Sequence, residues 1–181
     1  RFHGTAESTY EGHSEILMNI YLLGMMGSGK STIGRFLSRR LGKPFIDLDS
    51  EIEQSAGKTI SEIFENDGEE YFRNIEANQL QEYSDSIVAC GGGIIVNEGN
   101  RAIIKENGKA ILLTASIPEL SNRLSTSGNR PLLPENNIEE TLTQLWLHRQ
   151  LHYLDTAEFT IETDGKTPEK ITDEILNQLN P

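Results

Sequence analysis

From Asn19 onward the chain alternates short apolar runs with longer stretches of helical pattern. That alternation is the mark of a parallel sheet wound with helices. The runs at 20–23, 45–46, 87–89, 110–113 and 159–161 predict five strands. Helices are predicted over 30–41, over 60–83 with a break near Asp67 and Gly68, and then over 98–107, 118–124, 138–154 and 168–179. Thr59 with Glu62 three residues on reads as a capping box, and Pro168 suits the first turn of the last helix. The stretch 125–137, rich in Ser, Gly, Asn and Pro, is the one long loop, and long loops in compact domains often serve as lids. Residues 1–17 show no clear period and begin with Arg, so they read as a leader, tag or processed extension, or the stub of something longer. Residues 18–181 then form a single α/β domain.

Composition narrows the choice of chemistry. A chain of 181 residues, 36% apolar and 24% charged, is long enough to bury one substantial core. The net charge of −12 is spread along the sequence with no basic stripe, which argues against nucleic acid as a partner. No apolar run approaches the ~20 residues that cross a bilayer, and no signal-peptide pattern opens the chain. A soluble, cytoplasmic protein away from membranes is the expectation. The only cysteine is Cys90, which excludes an internal disulfide and any zinc-ligand spacing.

In an open parallel sheet, ligands bind beyond the carboxyl ends of the strands, so every loop that leaves a strand points at one place. Three such loops carry unusual residues. Gly24-Met25-Met26-Gly27-Ser28-Gly29-Lys30-Ser31 fits G-x-x-x-x-G-K-[ST] between a strand and a helix. Its glycines let backbone N–H groups turn toward phosphate oxygens, Lys30 reaches the β/γ-phosphates and Ser31 ligates Mg²⁺. Phe45-Ile46-Asp47-Leu48-Asp49 places two carboxylates at the end of a strand. One can hold Mg²⁺ through water and the other can orient or deprotonate an acceptor hydroxyl. A helix cap at Asp49 with a solvated Asp47 is the alternative. Gly91, Gly92 and Gly93 follow the third run directly. Their gain over other residues is positive φ or close approach of backbone to a ligand, and a plain flexible turn is the alternative.

Four arginines stand near these loops in an otherwise acidic chain. Arg73 lies one helical turn from Glu76, an arrangement that also suits a surface ion pair. Arg149 sits near the end of its helix, where it can simply complement the dipole. Arg130, in Asn129-Arg130-Pro131-Leu132-Leu133, falls inside the expected lid and can close on a transferring phosphoryl group. Arg123 at the lid's leading edge can stack on an adenine ring.

Taken with Gly68-Glu69-Glu70-Tyr71-Phe72-Arg73-Asn74-Ile75-Glu76, with Arg130-Pro131-Leu132-Leu133 and with Arg149 followed by Tyr153, these motifs resemble the shikimate kinase family from Asn19 onward. The resemblance implies a P-loop kinase fold of the nucleoside-monophosphate-kinase type: a three-layer sandwich with a five-stranded parallel sheet in the order 2-3-1-4-5, and a mobile lid over about 124–137. It implies transfer of the ATP γ-phosphoryl group to the 3-hydroxyl of shikimate, with Mg²⁺ as cofactor, in a protein expected to be a monomer. Carried over position by position, Lys30, Asp49 and Arg130 would be catalytic. Gly27, Ser28, Gly29, Lys30, Ser31, Thr32, Arg123, Arg130 and Lys166 would bind ATP, with Arg123 and the 163–168 loop surrounding adenine. Asp49, Arg73, Gly91, Gly92, Gly93 and Arg149 would bind shikimate, with Glu76 orienting Arg73. Ser31 and, through water, Asp47 would serve the metal. One departure is Leu151-His152 after Arg149, where the family more often shows Pro-Leu before the tyrosine. It bears on helix-end packing, and His152 is not expected to be catalytic.

Overall fold

The computed structural model describes residues 18–126 and 137–179. Five strands, β1 (Asn19–Leu23), β2 (Phe45–Asp47), β3 (Ile87–Ala89), β4 (Gly108–Thr114) and β5 (Phe159–Glu162), form one parallel sheet in the order β2-β3-β1-β4-β5. This is the expected α/β architecture and strand order. β1 lies in the centre and is buried along its whole length, as a strand covered on both faces must be.

Alternation along the strands divides the core in two. Tyr21, Leu23, Val88, Ala110 and Leu112 face one layer, whereas Ile20, Leu22, Ile87, Ile111 and Leu113 face the other. The second layer is covered by α1 (Lys30–Leu41) and α8 (Pro168–Leu179), through Ile33, Leu37, Ile171 and Ile175. Gly34 lets α1 approach β2, since a Cβ there would overlap the Phe45 ring. The first layer holds α2 (Leu48–Ala56), α3 (Ile60–Asn66), α4 (Gly68–Leu80), α5 (Glu98–Asn107), α6 (Ile117–Thr126) and α7 (Ile138–Thr156).

The predicted break near Asp67 and Gly68 separates α3 from α4, where Gly68 takes φ +87°. The capping box at Thr59 and Glu62 forms as expected: Thr59 Oγ1 accepts from the Glu62 N–H, and the Glu62 carboxylate accepts from the Thr59 N–H. Two elements lie outside the predicted set. The helix after β2 begins at Leu48, so Asp49 occupies its first turn and does not cap a helix starting at Ser50. The apolar Ile94–Val96 following the glycines winds into a single 3-10 turn. Residues 1–17 and most of the expected lid, Arg130 included, lie outside the described residues.

Candidate active site

The phosphate loop forms because β1 ends in a position only glycine fills. Gly24 has φ +142°, and a Cβ on it would overlap the carbonyl oxygen of Leu113 on neighbouring β4. The chain then turns, with the Ser28 N–H bonded to the Met25 carbonyl at 3.2 Å, and enters α1 through Gly29 at φ +98°. No side chain caps α1 and no acidic residue stands in its first turn, unlike α2 to α5. Its N-terminal N–H groups and positive dipole end therefore face the cleft. Lys30 Nζ lies 2.8 Å from the Gly24 carbonyl oxygen and 2.9 Å from that of Met25, folded over its own loop.

β2 brings the carboxylates to this loop. Ser31 Oγ donates to Asp47 Oδ2 at 2.5 Å, so a hydroxyl and a carboxylate adjoin at the foot of the phosphate loop. Among the described residues no group of three or more His, Cys, Asp or Glu side chains is placed to hold a metal ion. A Mg²⁺ site completed by phosphate oxygens and water asks for no more than the pair seen here.

The triple glycine is the floor on which the other groups rest. A Cβ on Gly91 would stand 2.7 Å from Asp49 Oδ1 and 3.3 Å from Glu76 Oε1, and one on Gly93 only 2.8 Å from Arg73 Nη2. None of the three takes a positive φ, so their value is the close approach of side chains to bare backbone. From α7, Arg149 Nη1 and Tyr153 Oη both donate to the Gly92 carbonyl, at 3.2 and 2.5 Å. Tyr153 is fully buried and stacks on Trp146, and burial pushes its hydroxyl pKa well up. The departure at 151–152 leaves α7 unbroken: Leu151 faces solvent and His152 is half-buried.

Arg73 is no surface ion pair. Its Nη1 donates to Glu76 Oε2 at 2.9 Å, its Nη2 reaches Glu69 Oε1 at 3.2 Å, and the guanidinium lies against the Phe72 ring. Glu76 is 1% exposed. Burial pushes its carboxyl pKa up, Arg73 pulls against that, and Asp49 adds to it. Cys90, at the end of β3, is also buried, and its thiol is pushed far up by the same cause.

On the opposite wall, Arg123 of α6 donates to the Gly27 carbonyl at 3.2 Å, to Thr163 Oγ1 at 3.0 Å and to the Thr163 carbonyl at 3.2 Å, while Glu119 holds its Nε at 2.7 Å. One guanidinium thus ties the phosphate loop to the segment after β5. Lys166, in that segment, donates to Glu174 Oε2 at 2.7 Å.

All these groups share one open cleft of about 1180 Å³ at the carboxyl ends of the strands. Residues 27–32, Asp47 and Asp49 line it, as do Arg73, residues 91–93, Arg149, Arg123 and Lys166. Of the site residues expected from sequence, Arg130 alone lies outside the described residues. Five of the chain's 16 Lys and Arg line this cavity beside four carboxylates, so its lining is cationic by one charge in a chain of net charge −12. Glu119 is not marked by any motif in the sequence, and its i, i+4 spacing from Arg123 is the available signal. Thr163 falls in the 163–168 loop that the family resemblance assigns, with Arg123, to the surroundings of adenine, and the structure joins the two. No helix of the described residues is long and apolar enough to cross a membrane.

Comparison with known proteins agrees with the geometry. The family model described as Shikimate kinase matches residues 26–180. A shikimate kinase from Marinomonas sp. (strain MWYL1) is 41% identical over 166 residues, covering 89% of this chain and 91% of the relative. One from Geobacter sulfurreducens is 42% identical over 160 residues, covering 87% and 88%. The solved structure of shikimate kinase from Acinetobacter baumannii in complex with shikimate superposes with a TM-score of 0.85 at 39% identity, over 91% of this chain and 94% of that one. With a family match from the phosphate loop to the last helix and relatives alike over nearly their whole length, the chain belongs to the shikimate kinase family.

Proposed function

We propose that this chain transfers the γ-phosphoryl group of ATP to the 3-hydroxyl of shikimate, giving ADP and shikimate 3-phosphate. The observation that carries the reading is the triple glycine, which sets Asp49, Arg73 and Arg149 around one strip of backbone in the same cleft as the phosphate loop. Nucleotide and acceptor then lie side by side, which is what an in-line displacement needs.

Phosphoryl transfer through a loose transition state asks chiefly for alignment and for spreading of charge over peripheral oxygens. The loop amides and the N-terminus of α1 receive the phosphates. Lys30 swings from the Gly24 and Met25 carbonyls onto the β/γ-phosphates. Ser31 and, through water, Asp47 would hold Mg²⁺, which would supply positive charge against the phosphates. Arg73 and Arg149 hold the acceptor's carboxylate, and Asp49 accepts a hydrogen bond from its 3-hydroxyl. As the hydroxyl oxygen bonds to the γ-phosphorus and the bond to the ADP oxygen breaks, the hydroxyl proton passes to Asp49. Arg123 and Lys166 flank the nucleotide, and Arg130 contacts the transferring group. The last role rests on the Asn129–Leu133 motif in the sequence.

ADP release coupled to a reporter, measured with shikimate, with gluconate and with no acceptor, tests the reading. Turnover is expected with shikimate only, and Asp49→Asn should abolish most of it while ATP still binds. Equal turnover with gluconate, or ATP hydrolysis indifferent to any acceptor, would refute the assignment.

A further inference from the structure

Among the described residues, Glu76 is the one acidic side chain at the acceptor end of the cleft that is sealed from solvent, at 1% exposure. Its Oε2 takes the bond from Arg73, but its Oε1, equally buried, has no hydrogen-bond partner among those residues. An ionised carboxylate with a bare buried oxygen is costly, because the water it left is not replaced. Oε1 and Asp49 Oδ1 flank the same point on the backbone, 3.3 and 2.7 Å from where a Gly91 Cβ would stand, and so lie within about 6 Å of each other. The charged and titratable groups that bear on Glu76 are Arg73 on its own helix, with Glu69 behind it, then Asp49 on α2, Arg149 on α7 and the Cys90 thiol at the end of β3. Of these, the two arginines alone favour its charge.

Those two arginines are the groups that receive the acceptor's carboxylate in the function proposed above, and a role for Glu76 in acceptor binding rests on that reading. We infer that Glu76 is a positioning residue that takes up a proton from solvent as the acceptor's carboxylate settles on Arg73 and Arg149, so that acceptor binding is linked to protonation of Glu76. The incoming carboxylate shares the attraction that kept Glu76 ionised and adds a third negative charge beside Asp49. Neutral Glu76 gains an O–H donor at its bare oxygen and releases the guanidinium to the ligand. Burial already biases the side chain toward the neutral form, in the direction this linkage requires.

Because the complex holds the proton more tightly than the free protein, shikimate affinity is greatest at low pH and falls as pH rises through the pKa of Glu76 in the complex. One linked proton limits the slope to about tenfold per pH unit. Calorimetric titration of shikimate into the full chain, between about pH 6 and 8 in buffers of contrasting ionisation heat, reads the protons directly. The wild type should take up protons on binding shikimate, at most one per ligand at this group. Glu76→Gln should bind shikimate with no uptake and a flat pH profile, and Glu76→Asp should restore part of the uptake. A purely structural Glu76 would leave the proton count unmoved. Binding without uptake in the wild type, or uptake unchanged in Glu76→Gln, overturns the inference alone. If Glu76→Gln does not melt cooperatively, the wild-type buffer series and Glu76→Asp decide it by the same criteria. A chain that binds ATP but gives no heat with shikimate overturns the acceptor assignment, and the inference falls with it.

Discussion

Replacing Gly91, Gly92 and Gly93 by alanine, one at a time, should separate two functions across three adjacent residues. A Cβ at 91 would sit 2.7 Å from Asp49 Oδ1, so the carboxylate must retreat by roughly 0.7 Å to reach an ordinary contact of about 3.4 Å. Displacements approaching 1 Å at a reacting group cost up to about 100-fold. Gly91→Ala should therefore lower kcat by about 10- to 100-fold with the KM for ATP unchanged. At 93 the new methyl would meet three atoms of the Arg73 guanidinium, at 2.8, 3.1 and 3.3 Å, and push the group away as a body. Losing one charge-assisted hydrogen bond to the acceptor is worth about 1.5–3 kcal/mol, so the KM for shikimate should rise about 10- to 100-fold. At 92 the nearest atoms stand at 3.6 and 3.7 Å, which is normal contact, and kinetics should stay within about twofold. None of the three has a left-handed φ, so each alanine also gains about 0.4–1 kcal/mol by restricting the unfolded chain. Steady-state ADP release with both substrates varied, alongside thermal melts, reads all of this. Gly92→Ala as harmful as its neighbours, or losses appearing in the KM for ATP, would refute the account of the glycines as a floor for side chains.

Other variants probe other walls. Arg123→Ala severs the bonds to Gly27 and Thr163 and should raise the KM for ATP about tenfold, leaving that for shikimate alone; loss of charge-assisted bonds of this kind is worth about 1.5–3 kcal/mol. Asp47→Asn keeps the shape but not the charge beside Ser31. A Mg²⁺ titration of activity should shift its midpoint up about 10-fold or more. Tyr153→Phe deletes the 2.5 Å bond to the Gly92 carbonyl while Arg149 still satisfies that oxygen. The cost should be about 1 kcal/mol, or a fall in Tm of about 2–4 °C by calorimetry; an unchanged Tm would deny the bond any weight.

The sheet was legible because its inner strands β1, β3 and β4 are largely buried and read as apolar runs, while β2 and β5 at the edges are only partly buried; the ends slipped, where Asn19, Gly108 and Glu162 extend the pairing with polar or small residues. The phosphate loop was legible because its glycines are demanded by local backbone shape. Burial was not legible at Glu76. A spacing of i, i+3 from Arg73 is the same on a surface as in a core, and it is the packing of α2 and the triple glycine against α4 that seals Glu76. At Asp49 it is the alternative that fails: an acidic residue after a strand can read as a cap of a helix starting at Ser50, yet the helix starts two residues earlier at Leu48 and turns the carboxylate toward Gly91. The Ile94–Val96 turn hides in an apolar run that no period distinguishes from a strand.

The alternation that splits the core also splits the labour of the site. The helix that launches from the phosphate loop is anchored in the layer of Ile33, Leu37, Ile171 and Ile175, whereas Asp49, Arg73 and Arg149 stand on helices anchored in the layer of Leu48, Ile52, Phe72 and Leu142. Repacking beneath the second group can reshape the chamber for a different small acid while the helix of the phosphate loop keeps its own anchorage. Of the nucleotide's neighbours, Arg123 stands apart: its helix α6 rests on Leu120 in the acceptor's slab, so a change of acceptor written there must leave α6 in place.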